Sequence, residues 1–374
     1  MKNKKQETVL LTGSQGFIGG YLATQLLEKG YRVIGVDNFS KYGEVKRSHD
    51  SHPDFQLLRV DLSKAKPLYD IYIDVDYIIA GAAMIGGISY FHKYAYDLLA
   101  TNERILANTF DTAINLHKAG RLKRLVVISS SMVYEGADYY ENHIEDIITE
   151  YGADCHGIDA IKNTDLSPWP SKEGDEVDKL PPPRSTYGFQ KLSSEYFCKG
   201  AHEQYGLPYT IVRPFNCVGL GEEEAIGEAE VYSGNVKLQM SHVLPDIVNK
   251  ILKGQNPLRI LGDGKQVRCY THGKDIARGI VEAMESPKGL NEDFNIAADR
   301  ETTVLELAKL AWKEIHGEGL EFKYESDEPF KHDVQKRVPD VTKARDILGF
   351  EATISLEDSV SEIVKHMNRN EALA

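Results

Sequence analysis

The sequence predicts an α/β protein: a doubly wound parallel sheet covered by helices on both faces, with a smaller mixed α/β lobe after it. Three observations predict it. Strand-like apolar runs alternate with helical apolar patterns through the first half of the chain. The opening run, Thr8 to Thr12, passes through a glycine turn into a helix whose apolar residues recur at Phe17, Ile18, Leu22, Leu26 and Leu27. The chemically distinctive residues of this half fall at the carboxyl ends of the strands, where open parallel sheets bind ligands.

Each element follows from its residues. Gly13, Gly16 and Gly19 space the first turn in a Rossmann-type fingerprint. Gly13 allows the tight turn, Gly16 lets a pyrophosphate approach the backbone, and Gly19 lets the helix pack close to the strand. The helix N-terminus, at Gln15, Phe17 and Ile18, offers unpaired N–H groups to phosphate. The second strand, Tyr31 to Val36, ends in Asp37 and Asn38. A carboxylate there accepts both adenosine ribose hydroxyls and repels a 2′-phosphate, so NAD is expected over NADP. Lys41 and Lys46, the nearby cations, sit past the acid and do not replace it.

A third strand, Phe55 to Val60, ends in Asp61-Leu62, expected near the adenine edge. A fourth, Val75 to Ala80, runs into Gly81-Ala82-Ala83, small residues that suit a backbone passing beside the cofactor. After the turn Met84 to Ile88, a long helix from about Tyr94 to Ala119 carries Asn102 toward the sheet or the site. The fifth strand, Leu125 to Ile128, leads into Ser129-Ser130-Ser131-Met132-Val133-Tyr134. Periodicity is lost from about 135 to 183, a Pro- and Trp-containing stretch read as an insertion with short helices. Ser185 then opens a helix through Tyr187 and Lys191 to about Tyr205. A sixth strand, Leu207 to Val212, ends in Arg213-Pro214-Phe215-Asn216. Beyond it fewer strands are clear, and helices are expected near Leu244 to Leu252, Asp275 to Glu285, Val304 to His316 and Leu356 to Met367. The domains are therefore drawn as 1–216 and 217–374, with some later segments returning to the first.

Composition narrows the function classes. The formal net charge of −13 argues against a nucleic-acid partner. No apolar run approaches the roughly 20 residues that span a bilayer, and no signal-type apolar region follows Met1 to Lys5. Four widely spaced cysteines, Cys155, Cys198, Cys217 and Cys269, read as buried reduced thiols. A cytoplasmic protein is expected. Asp154, Cys155, His156 and Asp159 match no familiar ligand frame, and no metal is expected.

Tyr187 and Lys191 are one helical turn apart and share a face. A phenol with a pKa near 10 is a poor base at neutral pH, and a nearby ammonium is expected to lower that pKa. Lys191 can also hold the nicotinamide ribose. Ser130 can bond the same substrate oxygen, while Tyr187 takes or returns its proton.

With these residues in place, the chain resembles extended short-chain dehydrogenase/reductases of the nucleotide-sugar epimerase/dehydratase family. It is similar to UDP-glucose 4-epimerases, and Met84 to Ile88 is similar to the glycine turn of GDP-mannose 3,5-epimerases and GDP-fucose synthases. The carrying pieces are TGSQGFIGG, VD at 36–37, DL at 61–62, GAA at 81–83, SSSMVY at 129–134, YGFQK at 187–191, RPFN at 213–216, GDGKQVRCYTHGKDIARGI at 262–280 and KARDILGF at 343–350. The resemblance implies bound NAD, transient oxidation of a nucleoside-diphosphate sugar, and a homodimer formed through helices on one sheet face. It implies Ser130, Tyr187 and Lys191 as the catalytic trio, Ser131 and Met132 beside the sugar, and Asn216 near the substrate diphosphate. It places Arg268 on phosphate and Asp333 on the nucleotide ribose, with Lys331 and Arg337 as further phosphate candidates.

One departure narrows the reaction. Met132 stands where dehydratases and decarboxylases of the family carry glutamate and 3,5-epimerases carry cysteine. Methionine has no proton to give, and nothing in the spacing of His92, Cys217 or Lys237 compels a substitute. C4 epimerisation needs only a hydride and one proton relay and is the expected reaction. The alternatives are a 3,5-epimerase-like enzyme, a net oxidoreductase or decarboxylase, and a non-enzymatic NAD sensor.

Overall fold

Strand β1 (Thr8–Thr12) is buried at every position, as a strand covered on both faces must be. The computed structural model describes residues 6–64, 68, 75–86, 94–136, 171–173, 182–222, 231–233, 236–238, 242–328 and 334–373. Around β1 lie β2 (Arg32–Asp37), β3 (Phe55–Arg59), β4 (Tyr77–Ala80), β5 (Arg124–Ile128), β6 (Tyr209–Pro214) and β7 (Glu292–Ile296). They form one seven-stranded sheet of order β7-β6-β5-β4-β1-β2-β3. Every pairing in it is parallel. The order reverses between β1 and β4, which opens a crevice at their carboxyl ends.

Helices cover both faces. α1 (Phe17–Glu28) and α5 (Gly273–Glu285) lie together on one, over a core that includes Leu22, Leu26, Ile276 and Ile280. α2 (Ala95–Lys118) and α3 (Thr186–Tyr205) lie together on the other, around Leu106, Phe110, Cys198 and Leu207. A third core joins α4 (Val243–Leu252), α6 (Val304–His316) and α7 (Leu356–Leu373) around Leu244, Ile251, Trp312 and Ile363.

The carboxyl half returns one strand, β7, to the main sheet and one helix, α5, to its face. β7 was not predicted: its segment Glu292-Asp293-Phe294-Asn295-Ile296 is too polar to read as a buried strand. It is an edge strand that pairs in register with β6, Glu292 opposite Thr210 and Ile296 opposite Pro214. Most of the expected insertion lies outside the described residues. Within it, Ser171 forms a parallel bridge with Pro339.

Candidate active site

The glycine turn at the end of β1 is shaped by close approaches that no side chain survives. Gly13 has φ +75°, and a Cβ on it would lie 2.9 Å from the backbone of Ala82. A Cβ on Gly19 would lie 1.9 Å from Gly13 O. The turn thus sits against the Gly81-Ala82 backbone across the crevice. Thr12 Oγ1 accepts from the N–H groups of both Gly81 and Ala82, at 3.0 Å each. Asp37 accepts from Gln15 N at 2.9 Å and Phe39 N at 2.8 Å, which fixes its carboxylate beside the turn.

These residues line one continuous cleft of about 1020 Å³. Gly13, Gln15, Gly16, Phe17, Ile18, Gly19, Asp37, Asn38, Asp61, Leu62, Gly81, Ala82 and Ala83 all border it, as the sequence reading expects of a dinucleotide site. Asn102 does not border it. Its buried amide instead bonds Met84 N at 2.6 Å and Met84 O at 3.0 Å, so it holds the loop after β4 in place. A glycine cradle at a helix N-terminus, closed by a fixed carboxylate, fits an NAD molecule.

Ser130, Tyr187 and Lys191 border the same cleft. Ser130 caps the short turn Ser131–Tyr134 and accepts from Met132 N at 3.2 Å. Ser185 caps α3: it accepts from Gly188 N at 3.0 Å and donates to Glu135 at 2.5 Å. A Cβ on Gly188 would meet that Glu135 carboxylate at 2.7 Å, so glycine must follow Tyr187.

The electrostatics differ from the expectation in one respect. Burial raises the Tyr187 phenol above its ordinary value, and its hydrogen bond with Ser130 and the charge of Arg337 draw it back only in part. Lys191, expected to acidify the phenol, donates instead to Ile128 O at 2.9 Å and lies 5.9 Å from the centre of the tyrosine ring. Burial lowers its own pKa to about 8, against the opposing pull of Glu195.

At the other end, Ser131, Met132, Asn216, Arg268 and Arg337 border the cleft. Arg337 Nη1 reaches Ser131 Oγ at 3.4 Å and the Met132 sulfur at 2.8 Å. Arg268 donates to the carbonyls of Val267, Val334 and Gln335, so part of its fork braces the chain that leads to Arg337. Asn216 has φ +31° and reaches Cys269 O at 3.4 Å. Cys217 is buried, and burial pushes its thiol well above the ordinary range, so it is a neutral thiol. Asp333, Lys331, His92, the Lys237 side chain and residues 154–159 lie outside the described residues. Among the described residues no cluster of three or more His, Cys, Asp or Glu could hold a metal.

Three residues at the site escaped the sequence reading. Arg47, past the acid, folds back so that its Nη2 donates to Gln15 O at 2.9 Å; a lone arginine in a polar loop carries no local signal. Glu195 is one turn beyond Lys191, as Lys191 is beyond Tyr187, and that spacing was legible. It accepts from Ser129 Oγ at 2.5 Å and pairs with the buried Arg213 at 2.7 Å. His242 borders the cleft beside Phe17, ring centres 5.5 Å apart.

The model of the NAD dependent epimerase/dehydratase family matches residues 9–297. The chain belongs to that family. Its cofactor is NAD, and it is an enzyme of the nucleotide-sugar epimerase and decarboxylase group. A solved UDP-glucose 4-epimerase from Thermotoga maritima, with UDP-glucose, is similar over 97% of this chain and 99% of its own, at 27% identity and a TM-score of 0.73. A UDP-N-acetyl-alpha-D-glucosaminuronate decarboxylase from Bacillus cytotoxicus is 27% identical over 95% of this chain and 96% of its own. The UDP-glucuronic acid 4-epimerase of Bacillus cereus, solved with UDP-glucuronic acid and NAD, shares the fold at 22% identity and a TM-score of 0.72, over 97% of this chain and 99% of its own.

Proposed function

We propose that this enzyme inverts C4 of a nucleoside-diphosphate sugar through a transient 4-keto intermediate. The observation that carries the reading is the content of the cleft: Ser130 and Tyr187 share a hydrogen bond, and Met132 stands beside them where elimination or decarboxylation would use an acid. When bound, NAD supplies the acceptor and later the donor of the C4 hydride. Tyr187 takes the proton of the C4 hydroxyl and returns it, and Ser130 holds the same oxygen. Lys191 orients the nicotinamide ribose, and the charge of Arg337 favours the phenolate. Asn216 and Arg268 hold the diphosphate, and bidentate guanidinium pairing suits Arg268 to that role.

A second reading rests on Arg337. A guanidinium beside Tyr187 and Met132, at the sugar rather than the diphosphate, suits a sugar that carries a carboxylate, and relatives include uronate decarboxylases. The substrate is then a nucleotide uronate, either inverted at C4 or decarboxylated. Buried thiols at Cys198, Cys217 and Cys269 suit a reducing cytoplasm. Among the described residues no helix is long and apolar enough to cross a membrane. We also read the enzyme as a homodimer formed through α2 and α3.

The test incubates the purified protein with UDP-, GDP-, CDP- and dTDP-sugars in deuterated water, with UDP-glucuronic acid labelled at C6 among them. The expected result is C4 inversion, no deuterium at C4, no net change at 340 nm and no released carbon dioxide. Carbon dioxide release selects decarboxylation, and failure to alter any sugar nucleotide rejects both readings.

A further inference from the structure

The structure holds two histidine–carboxylate pairs of nearly equal length but different construction. His272 Nε2 lies 2.8 Å from Glu362, and its Nδ1 accepts from Lys274 N at 3.1 Å to cap α5. The ring is 2% exposed and both of its nitrogens are committed to the fold. His242 is built the other way. Its Nδ1 lies 2.9 Å from Glu222 Oε2; the glutamate is 2% exposed and the histidine 35%. His242 stands at the N-cap of α4 yet makes no side-chain capping bond there. The ring borders the cleft, and a carboxylate lies against its Nδ1. A base held in one orientation by a buried acid is how proteins build a proton-transferring imidazole.

Its position in the fold supports the same role. Glu222 follows, by six residues, Asn216, which also borders the cleft. Phe17, against which the ring lies, belongs to the glycine turn. The pair therefore stands where the dinucleotide and substrate halves of the cleft meet.

We propose that His242, oriented by Glu222, is a second acid/base of this site and exchanges a proton at a carbon next to C4. This rests on the reading of the cleft as a nucleotide-sugar site and deepens it. Once C4 is a ketone, the hydrogens on C3 and C5 are acidic. His242 Nε2 takes one as a proton, and the C–H electron pair moves into an enolate whose charge rests on the C4 oxygen. Tyr187 and Ser130 bond that oxygen. Collapse of the enolate takes a proton back at carbon, with no net oxidation or reduction. Return from the imidazolium restores the centre, and return from the opposite face inverts it. The carbon gains a solvent hydrogen when the imidazolium exchanges its proton with water before returning it, or when the returned proton comes from the opposite face.

The experiment runs the NAD-loaded protein with UDP-glucose, UDP-glucuronic acid and GDP-mannose in deuterated water. Carbon-bound deuterium is read by NMR and hydride transfer by the transient at 340 nm. The expected result is deuterium at C3 or C5. His242→Gln is expected to lower the ratio of deuterium incorporated to hydride transferred at least a hundredfold. Glu222→Gln is expected to lower it about tenfold. Hydride transfer without deuterium at C3 or C5, or a ratio unchanged in His242→Gln, overturns the proposal and leaves the C4 reading standing. Absence of hydride transfer with every sugar nucleotide overturns both.

Discussion

Tyr187 and Lys191 show what spacing reveals and what it conceals. One helical turn between them was enough to place both on one cleft, but not to say which cation faces the phenol. Arg337 contributes to that field from a strand 150 residues further on, and no local pattern links the two. His242 escaped for the same reason: its partner Glu222 and its neighbour Phe17 are distant in sequence. Tyr187→Phe is expected to lower turnover about 10²–10⁴-fold, the usual contribution of a positioned acid/base, with NAD still retained after gel filtration. Lys191 sets a pH limit. Its ammonium, held near pKa 8 by burial, is lost as pH rises through that value, and turnover is expected to fall with it. Unfolding is not the cause. The unfolded lysine keeps its proton to about pH 10.4, so between 8 and that value the unfolded state holds more protons and this group makes the fold more stable as pH rises. A turnover limb near pH 8 without a fall in the urea midpoint separates the two.

At the scale of elements, one buried network ties the catalytic helix to the sheet. Arg213, on β6, pairs with Glu195 of α3 at 2.7 Å and with Asp293 of β7 at 2.7 Å. Its Nη1 also donates to Tyr134 OH at 3.1 Å, and that hydroxyl donates to Asn295 of β7 at 2.9 Å. Ser129, next to Ser130, hangs from the same glutamate. The polar residues that hid β7 from a hydrophobic reading are thus the ones that fasten it, whereas α1, α2 and α6 follow apolar spacing and were legible to within a residue or two. Removing one partner of a buried pair leaves the other charge uncompensated. Glu195→Ala is expected to cost about 3–5 kcal/mol in urea unfolding. Arg300→Ala, whose partner Glu357 is half exposed, is expected to cost no more than about 1 kcal/mol.

Residues from both halves of the chain border the cleft, and the outer faces of α2 and α3 are left unused by it. Between those helices runs a groove of about 400 Å³ bordered by Phe110, Ile114, Phe197, Tyr196 and Tyr205. Tyr196 is 59% exposed and Phe189, near the start of α3, 49%. Large aromatics at such exposure are costly in a monomer and are the residues that interface centres favour. A second copy of this chain can cover them by setting α2 and α3 against its own, and such an interface is self-complementary about a twofold axis. Light scattering after gel filtration is therefore expected to give twice the 41.9 kDa chain mass. Tyr196→Glu places a charge on the outer face of α3, away from the residues that border the cleft, and is expected to halve the measured mass while the urea midpoint at low protein concentration stays the same. A wild-type mass of 41.9 kDa, or a Tyr196→Glu variant that stays dimeric, removes this face as the interface.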